Sequence, residues 1–324
     1  MSLQITIKEV DDIDLDRYCL LQQQSFEAIF ADNRIYTSYL DPTFFKWKYS
    51  TPAGKARIAV VEENNCMLAS VAMYPVYIVV KGKKKRGWHF VEAAVLPVAR
   101  GRGLFKCCMS LLIDSLKSDE IIYVFPNSSS IQGTIKAGFR KIEESDFYVR
   151  CFFNVFNIDR SAIETDFIFT AGQDVYADAM CAKQDVVVFR DAAYMNWRYK
   201  QHPHFTYYIF SPVENGRILG NVVARSVIIK GIRMLLIMEM HSLYDEVKKE
   251  MMSFVRRVAK KENCFIAGTF SGKNGKPSLA STGMIQLPSY ILPKRHILMA
   301  YAKQSVCKLE SEKWFCQTGD WDAF

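Results

Sequence analysis

The chain has 324 residues, of which 50% are hydrophobic and 13% aromatic, enough for substantial cores in one large domain or two ordinary ones. No apolar run approaches the roughly 20 residues of a membrane span, and the N-terminus lacks the pattern of a secretory signal, so we expect a cytoplasmic protein with no membrane partner. The formal charge of +8 suits an acidic ligand or substrate and does not by itself indicate nucleic-acid binding.

Cysteine and histidine usage argues against disulfides and metal sites. The nine cysteines are odd in number and contain no Cys-x-x-Cys pair, which is typical of reduced thiols. His202-Pro-His204 has no cluster of carboxylates or cysteines beside it, so we expect no metal. The cationic run Lys81–Arg86 lies between two strand-like stretches and predicts a solvated hairpin tip.

Hydrophobic periodicity predicts strands and helices in the first half of the chain. The predicted strands are Gln4–Val10, Arg57–Val61, Met67–Val80, Gly87–Leu96 and Ile121–Phe125. The predicted helices are Leu15–Phe30, Leu104–Leu116 and Ile131–Ala137, the last of them ended by Gly138. Strands followed by a strand-helix-strand-helix unit indicate an α/β fold with a central mixed, mostly antiparallel sheet flanked by helices.

An internal repeat divides the chain. Asp41–Tyr49 matches Asp191–Tyr199 in its Asp, aromatic, Trp, cationic and Tyr positions, 150 residues apart, and weaker collinear matches continue beyond residue 280. We therefore predict two tandem copies of one fold, in residues 1–155 and 170–324. The aromatic segment Trp314–Phe324 is expected to pack back onto a domain.

A glycine-rich basic loop connects a predicted strand to a predicted helix in copy one. The sequence Arg100-Gly-Arg-Gly-Leu precedes the helix directly, and Lys106 follows. A helix N-terminus has unpaired N–H groups and a partial positive charge, and glycine lets a phosphate approach the backbone closely. A basic surface turn explains the loop alone equally well.

The surrounding sequence strengthens the first interpretation. Phe90-Val-Glu-Ala-Ala-Val-Leu-Pro-Val-Ala-Arg-Gly-Arg-Gly-Leu-Phe105 resembles the acetyl-CoA motif of the GNAT acyltransferase superfamily, (Arg/Gln)-x-x-Gly-x-(Gly/Ala), and Lys136-Ala-Gly-Phe139 is similar to the end of that family's conserved region. The resemblance covers residues 4–153 and is most specific between 90 and 140. Together with the internal repeat, it implies two GNAT-like domains, of which the first binds acetyl-CoA as acyl donor.

The resemblance also implies which residues bind the donor. The loop would cradle the CoA pyrophosphate, Val95 would pair its backbone with the pantetheine arm, and Asn127 would contact that arm after the next strand. The implied binding residues are Val95, Arg100, Gly101, Arg102, Gly103, Leu104, Phe105 and Asn127. Phe105 departs from the motif, which has Gly or Ala there, although the backbone donors are retained.

The acid and the base of the reaction are open. Thr134 stands where the family has a tyrosine acid, which leaves Ser129, Ser130 or a water as alternatives. Glu92 and His89 are the candidate catalytic residues, on opposite strand faces unless a bulge intervenes. Glu92 could equally be a structural partner of a nearby cation, and His89 a surface residue.

Copy two has lost the loop. Its strand Met234–Met240 contains Glu239, which matches Glu92 in the alignment of the two copies. The segment that follows, His241-Ser-Leu-Tyr-Asp-Glu246, contains no glycine. Asp245 and Glu246 would repel a pyrophosphate at the helix start, so we predict no CoA binding there.

These features favour an acyl-CoA-dependent N-acyltransferase, acetyl-CoA being the donor and a small-molecule amine the acceptor. An amino sugar is the acceptor that the positive charge suggests. A Fem-like aminoacyl transferase and a non-catalytic acyl-CoA-binding protein are the alternatives. We expect no nucleic-acid partner and a monomer or a homodimer.

Overall fold

The computed structural model describes residues 3–33, 40–152, 167–229, 231–274, 279, 281–288, 290, 296–303 and 309–321. Within them the chain is an α/β protein with large mixed β-sheet structure flanked by helices, which confirms the predicted fold class. None of the described helices is both long and apolar enough to cross a membrane.

The first half of the chain follows the predicted periodicity closely. Its strands are β1 (Gln4–Lys8), β2 (Ser50–Thr51), β3 (Gly54–Lys55), β4 (Arg57–Glu63), β5 (Cys66–Val80), β6 (Lys83–Val95), β7 (Ile121–Val124) and β8 (Arg140–Cys151). Its helices are α1 (Leu15–Asn33), α2 (Pro42–Lys48), α3 (Leu104–Asp114) and α4 (Ile131–Lys136), with a 3₁₀ turn at Pro97–Ala99.

The second half repeats the alternation with shorter elements. Its strands are β9 (Val186–Val188), β10 (Tyr208–Phe210), β11 (Val213–Glu214), β12 (Arg217–Ile218), β13 (Gly220–Ile229), β14 (Ile232–Ser242), β15 (Ile266–Ser271), β16 (Ile285–Gln286), β17 (His296–Ala302) and β18 (Trp314–Phe315). Its helices are α5 (Ala171–Cys181), α6 (Ala192–Met195) and α7 (Lys248–Lys261), with a π-helical turn at Asn196–Lys200 and 3₁₀ turns at Leu309–Ser311 and Thr318–Asp320.

The first compact unit comprises Met1–Tyr77, Lys85–Ile142 and Leu298–Ser311. Its strands lie in the order β1-β4-β5-β6-β7-β17. β6 and β7 form a parallel pair connected through α3, whereas β7 and β17 are antiparallel. A parallel pair requires a crossover, so α3 packs back over the sheet, where it contacts β4 and β1.

The second compact unit comprises Ile78–Lys84, Glu143–Ile297 and Glu312–Phe324. Its main strands lie in the order β8-β15-β14-β13-β10, with β16 added to β8. β14 and β15 are parallel and connected through α7, while β13 and β14 are antiparallel. The same strand-helix-strand arrangement therefore recurs in both units.

Neither unit is a continuous piece of chain. The first unit takes β17 from the C-terminal part of the sequence, and the second takes residues 143–151 of β8 from the N-terminal part. The division into residues 1–155 and 170–324 stays a prediction, because residues 153–166, in the region assigned to the boundary, lie outside the described residues.

The two segments that match in sequence begin in the same way. The side chain of Asp41 accepts a hydrogen bond from the Phe44 amide at 2.7 Å and caps α2. Asp191 accepts from the Tyr194 amide at 2.8 Å and caps α6. Such caps satisfy N–H groups that have no partner within the helix. Each segment ends at a fully buried tyrosine, Tyr49 or Tyr199 in the core of its unit.

Candidate active site

The residues between β6 and α3 form an exposed glycine turn. Gly101 and Gly103 have φ angles of 81° and 75°, a left-handed conformation that favours glycine. Gly103 is the N-cap of α3, and no side chain caps this helix. A Cβ atom added at either glycine would meet no heavy atom within 4 Å. The turn thus leaves the N-terminus of α3 open to an anion, which the helix dipole would stabilise.

The two arginines of the turn hold it in place. Arg100 donates to the carbonyl oxygens of Ser25 at 3.1 Å and Val95 at 3.4 Å, which ties the turn to α1 and to the end of β6. Arg102 forms a bidentate pair with Glu63 at 2.8 and 3.1 Å. The hydrogen bond to Arg102 lowers the pKa of Glu63. This pair is solvent-exposed and therefore weak, so a phosphate can compete for the guanidinium.

Leu104 and Phe105 anchor the first turn of α3. The Leu104 side chain is buried. The Phe105 ring lies against Gly133 in α4, where an added Cβ would come within 2.6 Å of the ring. The bulky residue that departs from the sequence motif is therefore accommodated by a glycine on the neighbouring helix. Its side chain contacts α4, and the glycine turn stays open.

Beside the turn, the pairing of the two parallel strands stops before β6 ends. The register of β6 and β7 ends at the pair Phe90–Val124, and Val91–Val95 continue without β7 as a partner. We call the region beyond this last pair, with Val91–Val95 on one side and Phe125–Asn127 on the other, the β6–β7 gap. Asn127 lies at its far side, where its side-chain oxygen accepts from the amides of Ser129 and Ser130 at 3.1 and 3.0 Å. The predicted residues Val95 and Asn127 thus both lie beyond the last β6–β7 pair, one at the end of β6 and the other after β7.

His89 lies among aromatic side chains at the closed end of the gap. It is 1% exposed, so the alternative of a surface residue is wrong. Its ring stacks on Tyr123 at 4.4 Å between centroids and meets the edge of Phe125 at 5.9 Å. Its Nδ1 atom is 2.7 Å from the Tyr74 hydroxyl. These contacts favour a packing role for His89.

Glu92 lies two residues beyond the last β6–β7 pair, and both of its carboxylate oxygens have partners. Lys48 forms an ion pair with Oε1, and the Tyr49 hydroxyl donates to Oε2 at 3.1 Å. Tyr49 is in turn 2.6 Å from the hydroxyl of Tyr18. Burial and the neighbouring Glu92 charge raise the pKa of both tyrosines well above their usual value, so both stay protonated and able to donate. The side chain of Glu92 nevertheless keeps 14% exposure.

The backbone at Glu92 departs from extended geometry within β6. Its φ angle is 42°, a left-handed value that is uncommon for a non-glycine residue inside a strand. The equivalent place in β14 has a bulge, because Val223 pairs with Glu239 but Ala224 pairs with Ile237. The alternation of side chains between the two faces of the sheet is therefore broken at this point. Glu92 and His89 are then not required to lie on opposite faces.

The hydroxyl groups considered as acids differ in their surroundings. Thr134 is buried in α4, and its hydroxyl donates to the Ser130 carbonyl at 2.9 Å. The Ser130 hydroxyl donates to the Asn127 carbonyl at 3.2 Å. Ser129 is exposed, two residues after Asn127. In the described part of the chain, no group of three or more His, Cys, Asp or Glu residues has the arrangement of a metal site.

In the second unit a closed network surrounds the glutamate that matches Glu92. Glu239 accepts from Tyr199 at 2.7 Å and from Arg190 at 2.9 Å, and its side chain has no exposure. Burial alone would raise the pKa of Glu239, but Arg190, His241 and Tyr199 lower it to about 2. Arg190 also pairs with Asp320 at 2.7 Å, so one guanidinium compensates two buried carboxylates.

The second unit also fills the space between its parallel strands. The register of β14 and β15 ends at Leu236–Gly268. Beyond it, the Gln317 side chain accepts from the Met240 amide at 2.9 Å and donates to the Met240 carbonyl at 2.8 Å. The Thr318 hydroxyl accepts from the Phe270 amide of β15 at 2.7 Å. The C-terminal segment thus occupies the space that corresponds to the β6–β7 gap, and the expected packing of this segment is confirmed for residues 314–321.

The turn that follows β14 is acidic, as the sequence predicts. Asp245 pairs with Lys248 in the first turn of α7, and this contact lowers the pKa of Asp245. α7 begins after Val247, so Asp245 and Glu246 immediately precede it. An anion approaching this helix start would meet carboxylates instead of open glycines.

Sequence reasoning missed the partners of Glu92. Lys48 and Tyr49 belong to the repeated segment Asp41–Tyr49, but nothing local links them to a strand more than 40 residues away. A signal was present, because both the tyrosine and the glutamate recur in the second copy as Tyr199 and Glu239. Two positions that recur together are candidates for contact.

Comparison with known proteins gives structural similarity at low sequence identity. No family model and no curated protein matches the chain. A conserved protein of unknown function from Enterococcus faecalis V583, described as a probable N-acyltransferase, is similar over 93% of this chain and 73% of its own, with a TM-score of 0.62 and 12% identity. A GCN5-related N-acetyltransferase from Anabaena variabilis is similar over 93% of this chain and 73% of its own, with a TM-score of 0.60 and 10% identity.

Saccharomyces cerevisiae N-myristoyltransferase with bound myristoyl-CoA is similar over 97% of this chain and 84% of its own, with a TM-score of 0.56 and 11% identity. At these identities the comparisons establish that the chain shares its fold with these proteins.

Proposed function

We propose that the protein is an acyl-CoA-dependent N-acyltransferase with acetyl-CoA as donor and a small-molecule amine as acceptor. One observation carries the proposal: an uncapped helix N-terminus behind two left-handed glycines follows the part of β6 that continues beyond its pairing with the parallel strand β7. Phosphates suit such a helix terminus, and an extended arm suits the unpaired edge of a strand. The fold shared with acyltransferases supports the same reading.

The proposed binding of the donor uses the turn and the gap. Gly101, Gly103 and the first amides of α3 hold the pyrophosphate, Arg102 exchanges Glu63 for a phosphate, and the arm lies along Val91–Val95. The thioester then reaches the closed end of the gap, where His89, Tyr123 and Phe125 pack. This aromatic packing favours a short acyl group such as acetyl.

The proposed chemistry is direct transfer. The amine nitrogen attacks the thioester carbonyl carbon, the C–N bond forms as the C–S bond breaks, and CoA leaves as its thiolate. Glu92 takes the proton from the attacking nitrogen, because it is a carboxylate on β6 just beyond the last β6–β7 pair and retains exposure. Water supplies the proton that neutralises the thiolate, directly or relayed by the Ser129 hydroxyl, and Glu92 returns its proton to solvent.

We further propose that the chain consists of two copies of one fold and that only the first binds CoA. In the second, Gln317 and Thr318 occupy the space between the strands, and Asp245 and Glu246 precede the helix. The expected stoichiometry is one acetyl-CoA per chain.

A glycine substitution with a matched control tests the donor site. Gly103→Asp places a carboxylate at the proposed pyrophosphate site, and Gly216→Asp makes the same change at a glycine with the same φ of 75° and equally open surroundings in the β11–β12 turn. Acetyl-CoA at 100 times its Kd stabilises a binding protein by about 2.7 kcal/mol. We expect that shift in the wild type and in Gly216→Asp, and its loss in Gly103→Asp. If acetyl-CoA stabilised the wild type and both variants alike, the loop assignment would be refuted. If it did not stabilise the wild type, the proposed function would be refuted.

A non-catalytic acyl-CoA-binding protein is the second candidate. The observation behind it is Thr134, which stands where the family has a tyrosine acid and whose hydroxyl donates to the carbonyl of Ser130, the N-cap of α4. Release of thiol from acetyl-CoA in the presence of an amine panel, including amino sugars, separates the two. Release with at least one amine supports the enzyme, whereas binding without release supports the second candidate.

A further inference from the structure

Two buried side chains bind the carboxylate of Glu92, although this carboxylate is itself partly exposed. Lys48 is 1% exposed and Tyr49 is fully buried, yet both direct their polar ends to Glu92. They are the last residue of α2 and its C-cap, so one helix end supplies both contacts. A buried ammonium needs an ionised partner, and a phenol donor favours the same charged form of the carboxylate.

The second unit contains the corresponding glutamate, Glu239, in a similar arrangement, but we expect no reaction there. Tyr199 and Arg190 hold Glu239 in the same manner, but Gly319 lies so close that an added Cβ would be 2.4 Å from Glu239 Oε1. The glutamate there has no exposure, whereas Glu92 has 14%. The tyrosine contact is thus common to both units, and access to the carboxylate belongs to the first.

We propose that Lys48 and Tyr49 are positioning residues that keep the Glu92 carboxylate ionised and fixed beside the closed end of the β6–β7 gap. This rests on the proposed function, in which Glu92 accepts the proton of the attacking amine. Lys48 supplies the compensating charge and Tyr49 fixes the second oxygen. Neither touches the substrate, and the buried hydroxyl of Tyr18 holds Tyr49 in turn.

The two units provide a matched pair of variants. Tyr49→Phe and Tyr199→Phe each remove one hydroxyl that donates to a glutamate, at 3.1 and 2.7 Å. Both should lower the melting temperature by a few degrees, because each leaves a carboxylate oxygen without its donor. With acetyl-CoA and the best amine of the panel, Tyr49→Phe should lower kcat about tenfold, whereas Tyr199→Phe should leave it within twofold of the wild type.

Two further readouts separate positioning from general destabilisation. The acid limb of the kcat profile should move to higher pH in Tyr49→Phe and stay in place in Tyr199→Phe, because only the former affects the base. Lys48→Arg should retain most of the activity that Lys48→Met loses, since it preserves the charge. KM for acetyl-CoA should be unchanged in Tyr49→Phe.

The outcomes are distinct. Equal kcat values and equal pH profiles for the two phenylalanine variants would overturn the positioning roles while leaving the proposed function in place. Absence of thiol release from the wild type with every amine would overturn both. Should Lys48→Met fail to fold, the comparison of Tyr49→Phe with Tyr199→Phe decides.

Discussion

Replacing Gly133 by alanine tests the contact that fixes the first turn of α3. In a helix, Gly→Ala ordinarily stabilises by about 1 kcal/mol. Here the new Cβ would lie 2.6 Å from one ring carbon of Phe105 and 3.0 Å from another, so the ring must move by about 1 Å to reach normal contact. Overpacking of this kind costs about 1–3 kcal/mol, so we expect a net loss of about 1 kcal/mol.

A double-mutant cycle measured by urea unfolding isolates that contact. In the Phe105→Ala background the ring is absent, and Gly133→Ala should regain its ordinary stabilisation of about 1 kcal/mol, a coupling of about 2 kcal/mol. The displaced ring should also disturb the glycine turn and weaken acetyl-CoA binding in the single variant. The reasoning is refuted if Gly133→Ala stabilises the protein by the same amount in both backgrounds.

Two further predictions concern buried ionisable side chains in the second unit. Arg190→Met leaves the buried carboxylates of Glu239 and Asp320 without their shared cation, so urea unfolding should show a loss of about 3–5 kcal/mol; a change below 1 kcal/mol would contradict the network. Burial lowers the pKa of His296 to about 3. Below about pH 6.5 this histidine is therefore protonated in the unfolded state but stays neutral in the folded state. Stability should therefore decrease as pH falls below 6.5, by about 2 kcal/mol between pH 7 and 5 from this residue. His296→Phe should remove that part of the pH dependence, whereas a change at the exposed His204 should not; identical pH slopes for wild type and His296→Phe would contradict it.

The elements with strong local signals were predictable from the sequence. The apolar spacing from Leu104 onwards predicts α3, and the short apolar run from Ile121 predicts β7, each within two residues of its observed end. The glycine turn was predictable too, because only glycine adopts left-handed φ angles readily and two of them precede a helix. These features depend on neighbours in the chain.

Features that depend on distant contacts could not be predicted. The pattern of β17 predicts a strand, but it does not say that the partner is β7, since strand pairing over some 180 residues leaves no local trace. The aromatic content of the C-terminal segment predicts burial, yet not that Gln317 would bond to Met240. The left-handed backbone at Glu92 was also missed, because nothing in Val-Glu-Ala marks a non-glycine residue for that conformation.

The central claim is that the glycine turn of the first copy, and not the acidic turn of the second, binds the phosphates of CoA. Backbone amide chemical shifts recorded while free CoA is added test it directly, because they need neither an acyl group nor an acceptor. We predict large shifts at Gly101, Gly103 and Leu104, and none along Ser242–Glu246. The claim would be contradicted if saturating CoA changed the amide shifts of Ser242–Glu246. It would also be contradicted if the amide shifts of Gly101, Gly103 and Leu104 did not change.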